Sequence, residues 1–358
     1  NPSQLDLNSH AFFFMAVFFA VIFVLCGIFL PYQLTALLGG DKESSPEVFE
    51  MTMTYIRIVL LFSPCFIMNN LLQCFKRNDG SPQLAMAAML AGSFSNIILD
   101  YIFIFPLKLG ILGAVLATTA APVIGMGVLS VKKSSFRLKK TAFSLKDTLS
   151  LLSVGVPSLV TELSAGVVMI IFNIIILDIS GNIGVAAYGV VANISLVVMS
   201  VFTGIAQGMQ PVLSSSFGSG RTKETAAVLR YGIIASLALS AAIYGILFIS
   251  APAVTGIFNS EKLPELQEMA ENGLRLYFTA CPFAAFNIIA AVFFSCTRRE
   301  RNGQIISLLR GFILIIPSAF ILSGLFSLTG IWLALTAAEL LTAAVSVLLF
   351  RLPGKDRT

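Results

Sequence analysis

The sequence predicts an all-α, polytopic membrane protein, and three observations carry this prediction. Apolar residues make up 57% of the 358 residues and charged residues only 11%, with a mean hydropathy of +0.90. A soluble domain of this size has about 25% charged residues. Apolar runs of about 20 residues, the length that spans a bilayer as a helix, recur along the chain. Membrane β-strands alternate and have only about ten residues, so runs of this length exclude a barrel.

Ten such runs are predicted to be transmembrane helices. They cover residues 11–36, 52–75, 83–105, 111–131, 153–178, 184–209, 226–258, 266–296, 302–325 and 329–350. If the first run passes outward, 18 of the 23 Lys and Arg residues fall in the inner connections. The positive-inside rule therefore predicts this orientation. Because the basic residues are scattered over short loops, no nucleic acid is expected as a partner.

The chain contains two copies of one pattern, which predicts a transporter-like internal repeat in parallel orientation. At an offset of 218 residues, identical residues recur as Arg57 and Arg275, Pro64 and Pro282, and Asn69 and Asn287. At an offset of 217 residues, GAVLATTAA (113–121) recurs as GIWLALTAA (330–338).

The repeat predicts the domain organisation. Residues 1–131 form an N-lobe of four helices, 132–148 a basic cytoplasmic linker, 149–351 a C-lobe of six helices and 352–358 a cytoplasmic tail. The first run of the chain corresponds to the third helix of the second copy. We therefore expect that two helices are missing at the front of the N-lobe, and that the parent protein has twelve helices in two sets of six.

Several classes of function are excluded by residues that the chain lacks or scarcely uses. The five cysteines lie in or at the ends of apolar runs without metal-ligand spacing, so we interpret them as packing residues. His10 is the only histidine, and no motif of a nucleophilic, zinc or P-loop enzyme is present. We expect no enzymatic activity, no metal and no cofactor.

Polar residues recur at helical spacing on two neighbouring runs. The Glu162 face consists of Glu162, Gly166, Met169 and Asn173, and the Gln207 face consists of Gly189, Asn193, Ser200, Gly204, Gln207 and Pro211. We expect both faces to line a water-filled cavity that binds substrate, and the remaining faces to contact lipid. The alternative is that these amides and glycines only hold helices together. Gln210 either lines the cavity or, with Pro211, ends its helix before residues 218–221.

Glu162 is the candidate for cation coupling. It lies roughly 12 Å inside the cytoplasmic end of its helix, where an ionisable group costs about 3 kcal/mol to insert. A carboxyl group there can take up a proton, or bind sodium together with neighbouring oxygens. The alternative is a hydrogen-bonded carboxyl group with a structural role.

Other polar residues inside the runs are assigned structural or mixed roles. Arg310 lies roughly 13 Å from the cytoplasmic end of its helix, and Glu339 lies roughly 17 Å from the outer end of the next, antiparallel helix. In a hydrocarbon core of about 30 Å these depths coincide, which predicts a structural ion pair. Asp100 shares a face with Asn96 and either caps the following loop, pairs with Lys108 or lines the cavity. The repeat pair Asn69 and Asn287 is assigned to the substrate cavity.

Several segments resemble the multidrug and toxic compound extrusion (MATE) family, in its bacterial DinF- and MepA-like branch. They are GIAQGMQPVLSSSFGSG (204–220), similar to the family's Q-G-x-Q-P-x-x-S segment, RNDGSPQLAM (77–86), SNIILDYIFIF (95–105) with LGILGAVLATT (109–119), and VGVPSLVTELSAGVV (154–168). The resemblance covers nearly the whole chain. It implies two six-helix lobes around a V-shaped cavity, of which this chain lacks the first two helices.

The resemblance also implies a function. A MATE-like protein is expected to be a multi-pass protein of the bacterial cytoplasmic membrane that exports cationic or amphipathic drugs and toxins in exchange for protons or sodium. Glu162 matches an acidic position that the family often uses for coupling. The segment TACPFAAFNIIAAVF (279–293) lacks the acidic residue of many sodium-coupled members, which favours protons. We expect a monomer.

Two alternatives stay open at this point. The first is a flippase of the same superfamily that moves lipid-linked oligosaccharides, which would need clustered basic residues to hold pyrophosphate. Only Arg310 is a deep basic residue here. The second is a non-functional remnant without a complete N-lobe.

Overall fold

The computed structural model describes residues 2–37, 46–132, 145–260, 262–297 and 299–351, and these residues form helices and connecting turns without a strand. The elements are α1 (Pro2–Phe29), α2 (Pro31–Leu37), α3 (Pro46–Leu61), α4 (Ser63–Asn78), α5 (Pro82–Ile104), α6 (Gly110–Leu129), α7 (Leu145–Gly218), α8 (Thr222–Phe258), α9 (Pro264–Tyr277), a 3₁₀ turn (Phe278–Ala280), α10 (Cys281–Cys296), α11 (Glu300–Leu308), a π-helical turn (Leu309–Ile313) and α12 (Ile315–Arg351).

Two of these elements each cross the membrane twice. The apolar part of α7, Glu162–Gly218, has 57 residues, and the stretch Glu300–Arg351 has 52. A 57-residue helix would be about 85 Å long, far more than the hydrocarbon core of about 30 Å. Both are interrupted where the backbone has a positive φ, at Gly181 (φ 62°) and at Ser327 (φ 51°). Each element therefore consists of two spans joined by a tight turn.

The remaining spans complete the predicted set. The helices α1, α5, α6 and α8 are single spans, and α9, the 3₁₀ turn and α10 form one continuous span, Pro264–Cys296. The helices α3 and α4 are bent by 48° at their junction and together form another. The described residues thus contain ten spans, and the predicted all-α, polytopic fold class is confirmed.

One predicted helix end is wrong. One of the two alternatives for Gln210, that it ends its helix with Pro211, is contradicted, because α7 continues through both residues to Gly218. A proline inside a helix loses the hydrogen bond to the carbonyl four residues earlier and crowds that carbonyl, yet the helix continues through Pro211 here. The carbonyl oxygen of Gln210 accepts a hydrogen bond from the Cys296 thiol at 3.8 Å, so α10 contacts this part of α7.

The chain divides into two compact units, Asn1–Leu151 and Leu152–Thr358, here called unit 1 and unit 2. Most of the expected basic linker, residues 133–144, and the expected tail, 352–358, lie outside the described residues.

In unit 1, α5 and α6 form an antiparallel hairpin in close contact. A Cβ atom on Gly92 would lie 2.9 Å from the carbonyl oxygen of Ala121, so only glycine allows this approach.

Unit 1 also contains an apolar groove between α1 and α4. Its volume is 230 Å³, and its lining is almost entirely apolar. The lining includes Ala20, Val24 and Met68, and none of the predicted site residues lines it. This groove has neither the charges nor the hydrogen-bonding groups expected of a substrate or ion site.

Unit 2 has an extended hydrophobic core. Aromatic rings form its centre, where Phe172 stacks on Tyr188 at 5.5 Å and Tyr188 lies 6.3 Å from Trp332. The second half of α7 contributes Val198 and Phe202 to this core. The expectation that the apolar residues of this helix contact only lipid is therefore wrong, because a helix in a bundle must also bury a face against its neighbours.

The repeat detected in the sequence corresponds to a repeated helix contact. Gly113 lies at the start of α6, where a Cβ atom would meet Phe103 of α5 at 2.9 Å. Its counterpart Gly330 follows the turn in α12 and lies against the carbonyl group of Leu322. The same glycine thus permits the same close approach of antiparallel helices in each unit.

Candidate functional site

A buried polar cluster joins three segments of unit 2. Arg310, in the π-helical turn, donates from Nε and Nη2 to Oε1 of Glu339 on α12, at 3.0 and 2.6 Å. Asn287 on α10 donates from Nδ2 to Oε2 of Glu339 at 2.8 Å and to its carbonyl oxygen at 2.9 Å. Ser346 lies seven residues after Glu339 on α12, and its hydroxyl group donates to Oδ1 of Asn287 at 3.1 Å. The structure thus brings the expected partners Arg310 and Glu339 into contact and adds two neutral residues to them.

The charges of this cluster are unequally buried. The side chain of Glu339 is 2% exposed and that of Arg310 is 21% exposed. Because both carboxylate oxygens are engaged, one by Arg310 and one by Asn287, the negative charge is enclosed by donors. The pair therefore presents its positive end outward.

The structure corrects the assignment of Asn287. We expected Asn287 to line the substrate cavity, but it is fully buried, with both ends of its amide engaged by Glu339 and Ser346. Its sequence partner Asn69 in unit 1 is half-buried, and its Oδ1 atom has no hydrogen-bond partner among the described residues. A Cβ atom on Gly125 would lie 2.8 Å from that oxygen, so Asn69 packs against α6.

The Glu162 face lies on the first half of α7. Glu162, Gly166 and Met169 are exposed and Asn173 is half-buried. Two positions from Glu162, Ser164 is buried, and its Oγ lies 2.6 Å from where a Cβ atom on Gly311 would be. The buried side of this helix therefore contacts the π-helical turn that carries Arg310. Glu162 makes no hydrogen bond or ion pair with any residue that the structure describes.

The Gln207 face lies on the second half of α7 and is opposite to the core residues of that helix. Asn193, Ser200, Gly204 and Gln207 are exposed, and Gly189 and Pro211 are half-buried. Asn193 donates to the carbonyl oxygen of Gly189 at 2.8 Å, and Ser200 to that of Val197 at 2.7 Å. These bonds leave the amide oxygen of Asn193 able to accept from a ligand. Gln210 is also exposed.

In unit 1, Asn96 and Asp100 lie one turn apart on α5. Both are half-buried, and Nδ2 of Asn96 is buried without a partner among the described residues. Asp100 and Lys108, both within the described part of the chain, form no ion pair. One of the three predicted alternatives for Asp100, pairing with Lys108, is therefore wrong.

Sequence reasoning missed the neutral members of the buried cluster. Ser346 lies seven residues after Glu339 and so on the same side of α12, a signal that helical spacing carries. A second pair, Thr279 and Thr336, has its hydroxyl oxygens 2.7 Å apart between the 3₁₀ turn and α12. Threonines in apolar helices give no comparable signal, because Thr hydroxyls commonly bond to their own helix. Over the described residues, no group of His, Cys, Asp and Glu could hold a metal ion.

The ten spans and the helix contacts repeated in both units define a multi-pass membrane protein with the internal repeat typical of transporters. A model of the MatE family matches residues 1–102 and 157–321. The chain therefore belongs to the MatE family. Among curated proteins it is 27% identical over 335 residues to the multidrug export protein MepA of Staphylococcus saprophyticus, which covers 92% of this chain and 72% of that protein.

Further relatives agree with this membership. The multidrug export protein MepA of Staphylococcus aureus strain MRSA252 is 28% identical over 332 residues, covering 89% of this chain and 71% of that protein. An outward-facing MATE family transporter of the MOP superfamily aligns with a TM-score of 0.82 at 21% identity, over 96% of this chain and 78% of that one. A MOP superfamily transporter from Pyrococcus furiosus gives 0.84 at 22% identity with the same coverage. At these identities the structures establish the fold.

Proposed function

We propose that this protein exports cationic or amphipathic organic compounds across the bacterial cytoplasmic membrane in exchange for protons, by alternating access. Its MepA relatives are multidrug export proteins. The exposed polar faces on α7 consist of amides, hydroxyls and glycines. Such groups can hydrogen-bond to varied compounds without selecting one charge pattern.

The observation that carries the coupling proposal is the contrast between two deep carboxylates of unit 2. Glu339 is enclosed by Arg310 and Asn287, so its negative charge is already paired with the positive charge of Arg310. Glu162 is exposed and without a partner among the described residues, so it is available to an ion from solution. Loading of Glu162 would favour one of the two access states, and release would favour the other. A proton needs only this one carboxylate, whereas sodium needs several further oxygen ligands.

The test is ethidium efflux from vesicles under an imposed pH gradient and, separately, under a sodium gradient. It compares the wild type with Glu162→Gln, which removes the charge and keeps the size. Asp178→Asn is the matched control, because Asp178 is an exposed carboxylate of the same helix, three residues before its turn at Gly181. We expect pH-driven efflux that Glu162→Gln abolishes and Asp178→Asn preserves.

Other results would change the proposal. Efflux driven only by sodium would replace the proton as the coupling ion. Efflux that survives Glu162→Gln would move coupling to another carboxylate, with Asp100 as the next candidate. Folded wild-type protein without efflux under either gradient would refute drug antiport and favour a flippase.

A further inference from the structure

The guanidinium group of Arg310 has hydrogen-bonding capacity that the protein does not use. Arginine has five N–H donors. Two of them, on Nε and Nη2, point to the same oxygen of Glu339. Within the described ranges of the chain, no residue accepts from the other three. These three donors belong to the more exposed partner of the pair, because Glu339 is 2% exposed and Arg310 is 21% exposed.

The depth of Arg310 makes these open donors significant. Arg310 lies ten residues after the start of α11, and thus about 15 Å along the helix axis from the membrane-entry end. Charged N–H groups that face hydrocarbon at such depth cost several kcal/mol. The exposed edge of the guanidinium group must therefore face water or a polar ligand.

The repeat argues that the ion pair is not required for packing. At the offset of 217 residues, Pro122 of α6 occupies the position of Glu339, and at the offset of 218 residues Asn69 occupies that of Asn287. In unit 1 the corresponding helices α4 and α6 pack against each other, and the residues at these positions, Asn69 and Pro122, are uncharged. A buried ion pair is a costly way to join helices, and the corresponding helices of unit 1 pack without a charge at these positions. Its presence in unit 2 alone indicates a role in binding.

The position of Arg310 also indicates what it binds. The carboxylate of Glu339 orients the guanidinium group from behind, and the π-helical turn at Leu309–Ile313 carries it. π-Helical turns inside α-helices are frequent at functional sites. The free Nη1 group and the second N–H of Nη2 are spaced for a planar anion with two oxygens.

We propose that the open edge of Arg310 binds a carboxylate group of the exported compound. Resting on the proposed export function, this assigns one contact of the exported compound, the contact with its acid group. Arg310 receives the acid group of the compound through the N–H donors that Glu339 leaves open. Glu339 and Asn287 are positioning residues, since they hold the guanidinium group without touching the ligand.

The test uses two dyes that differ at one group. Rhodamine 123 is a methyl ester, and rhodamine 110 is the corresponding free acid. Their dissociation constants are measured by fluorescence anisotropy on the purified chain in an uncharged maltoside detergent, so that no lipid phosphate competes for Arg310. The ratio of the two constants is compared between the wild type and Arg310→Gln/Glu339→Gln, which removes both charges together.

The matched control is Arg275→Gln/Glu271→Gln. This pair also lies in unit 2, with a distance of 3.5 Å between Nη2 and Oε2, and is more exposed than the Arg310 pair. We expect the preference for the free acid to fall about tenfold or more in the Arg310 variant, the size of a lost charge-assisted hydrogen bond, and to stay unchanged in the control.

Three outcomes would overturn the proposal. The first is an unchanged ratio of the two dissociation constants in the Arg310 variant. The second is an equal weakening of binding for both dyes, which indicates a structural role. The third is an equal loss of the preference for the free acid in the control variant. Because binding is measured without any gradient, a failure of efflux in vesicles would refute the export function and leave this result interpretable.

Discussion

Removing the charge of Arg310 alone should destabilise unit 2 more than removing the charges of Arg310 and Glu339 together. In Arg310→Gln, the carboxylate of Glu339 stays 2% exposed, with Asn287 as its remaining charge-stabilising donor. Removing one partner of a buried pair costs about 3–5 kcal/mol. In Glu339→Gln the cost should be lower, about 1–2 kcal/mol, because Arg310 is 21% exposed and water can reach it.

The double variant should lie within about 1 kcal/mol of the wild type, since no charge is left unpaired. The measurement is unfolding in mixed detergent micelles with rising SDS, followed by tryptophan fluorescence. Trp332 is the single tryptophan and is 1% exposed in the core of unit 2, so its emission reports this unit. If the double variant is as unstable as Arg310→Gln, the two charges are not coupled and the reasoning fails.

Two further predictions use residues outside the ion pair. Asn287→Ala should cost about 2–4 kcal/mol, whereas Asn69→Ala should cost less than about 2 kcal/mol, because Asn287 has three hydrogen bonds and Oδ1 of Asn69 has none. The same unfolding assay with an added tryptophan in unit 1 compares them, and equal costs would contradict the structural difference between the repeats. A membrane-impermeant maleimide should label exposed Cys74 from the cytoplasmic side, in everted but not right-side-out vesicles, while buried Cys281 stays unlabelled. Cys74→Ser is the control. If intact right-side-out vesicles are labelled and this variant abolishes the labelling, Cys74 is on the outer side and the predicted orientation is wrong.

The class of the protein and the number of its spans could be predicted from sequence because both depend on local composition. An apolar run of sufficient length must span, and the turns at Gly181 and Ser327 fall between the predicted runs. The pairing of Arg310 with Glu339 was also predictable, since the depths of two residues on adjacent antiparallel helices follow from counting at 1.5 Å per residue.

The tertiary structure decided which polar residues are enclosed and which are open. Asn69 and Asn287 are identical in type and equivalent in the repeat, and the sequence gives no reason to treat them differently. Asn287 is enclosed because α12 supplies Glu339 and Ser346 to it, whereas α6 places Gly125 against Asn69. Composition and periodicity determined the helices and their order, because these depend on each segment alone. The environment of a polar atom depends on the helix packed against it, and only the folded units contain that information.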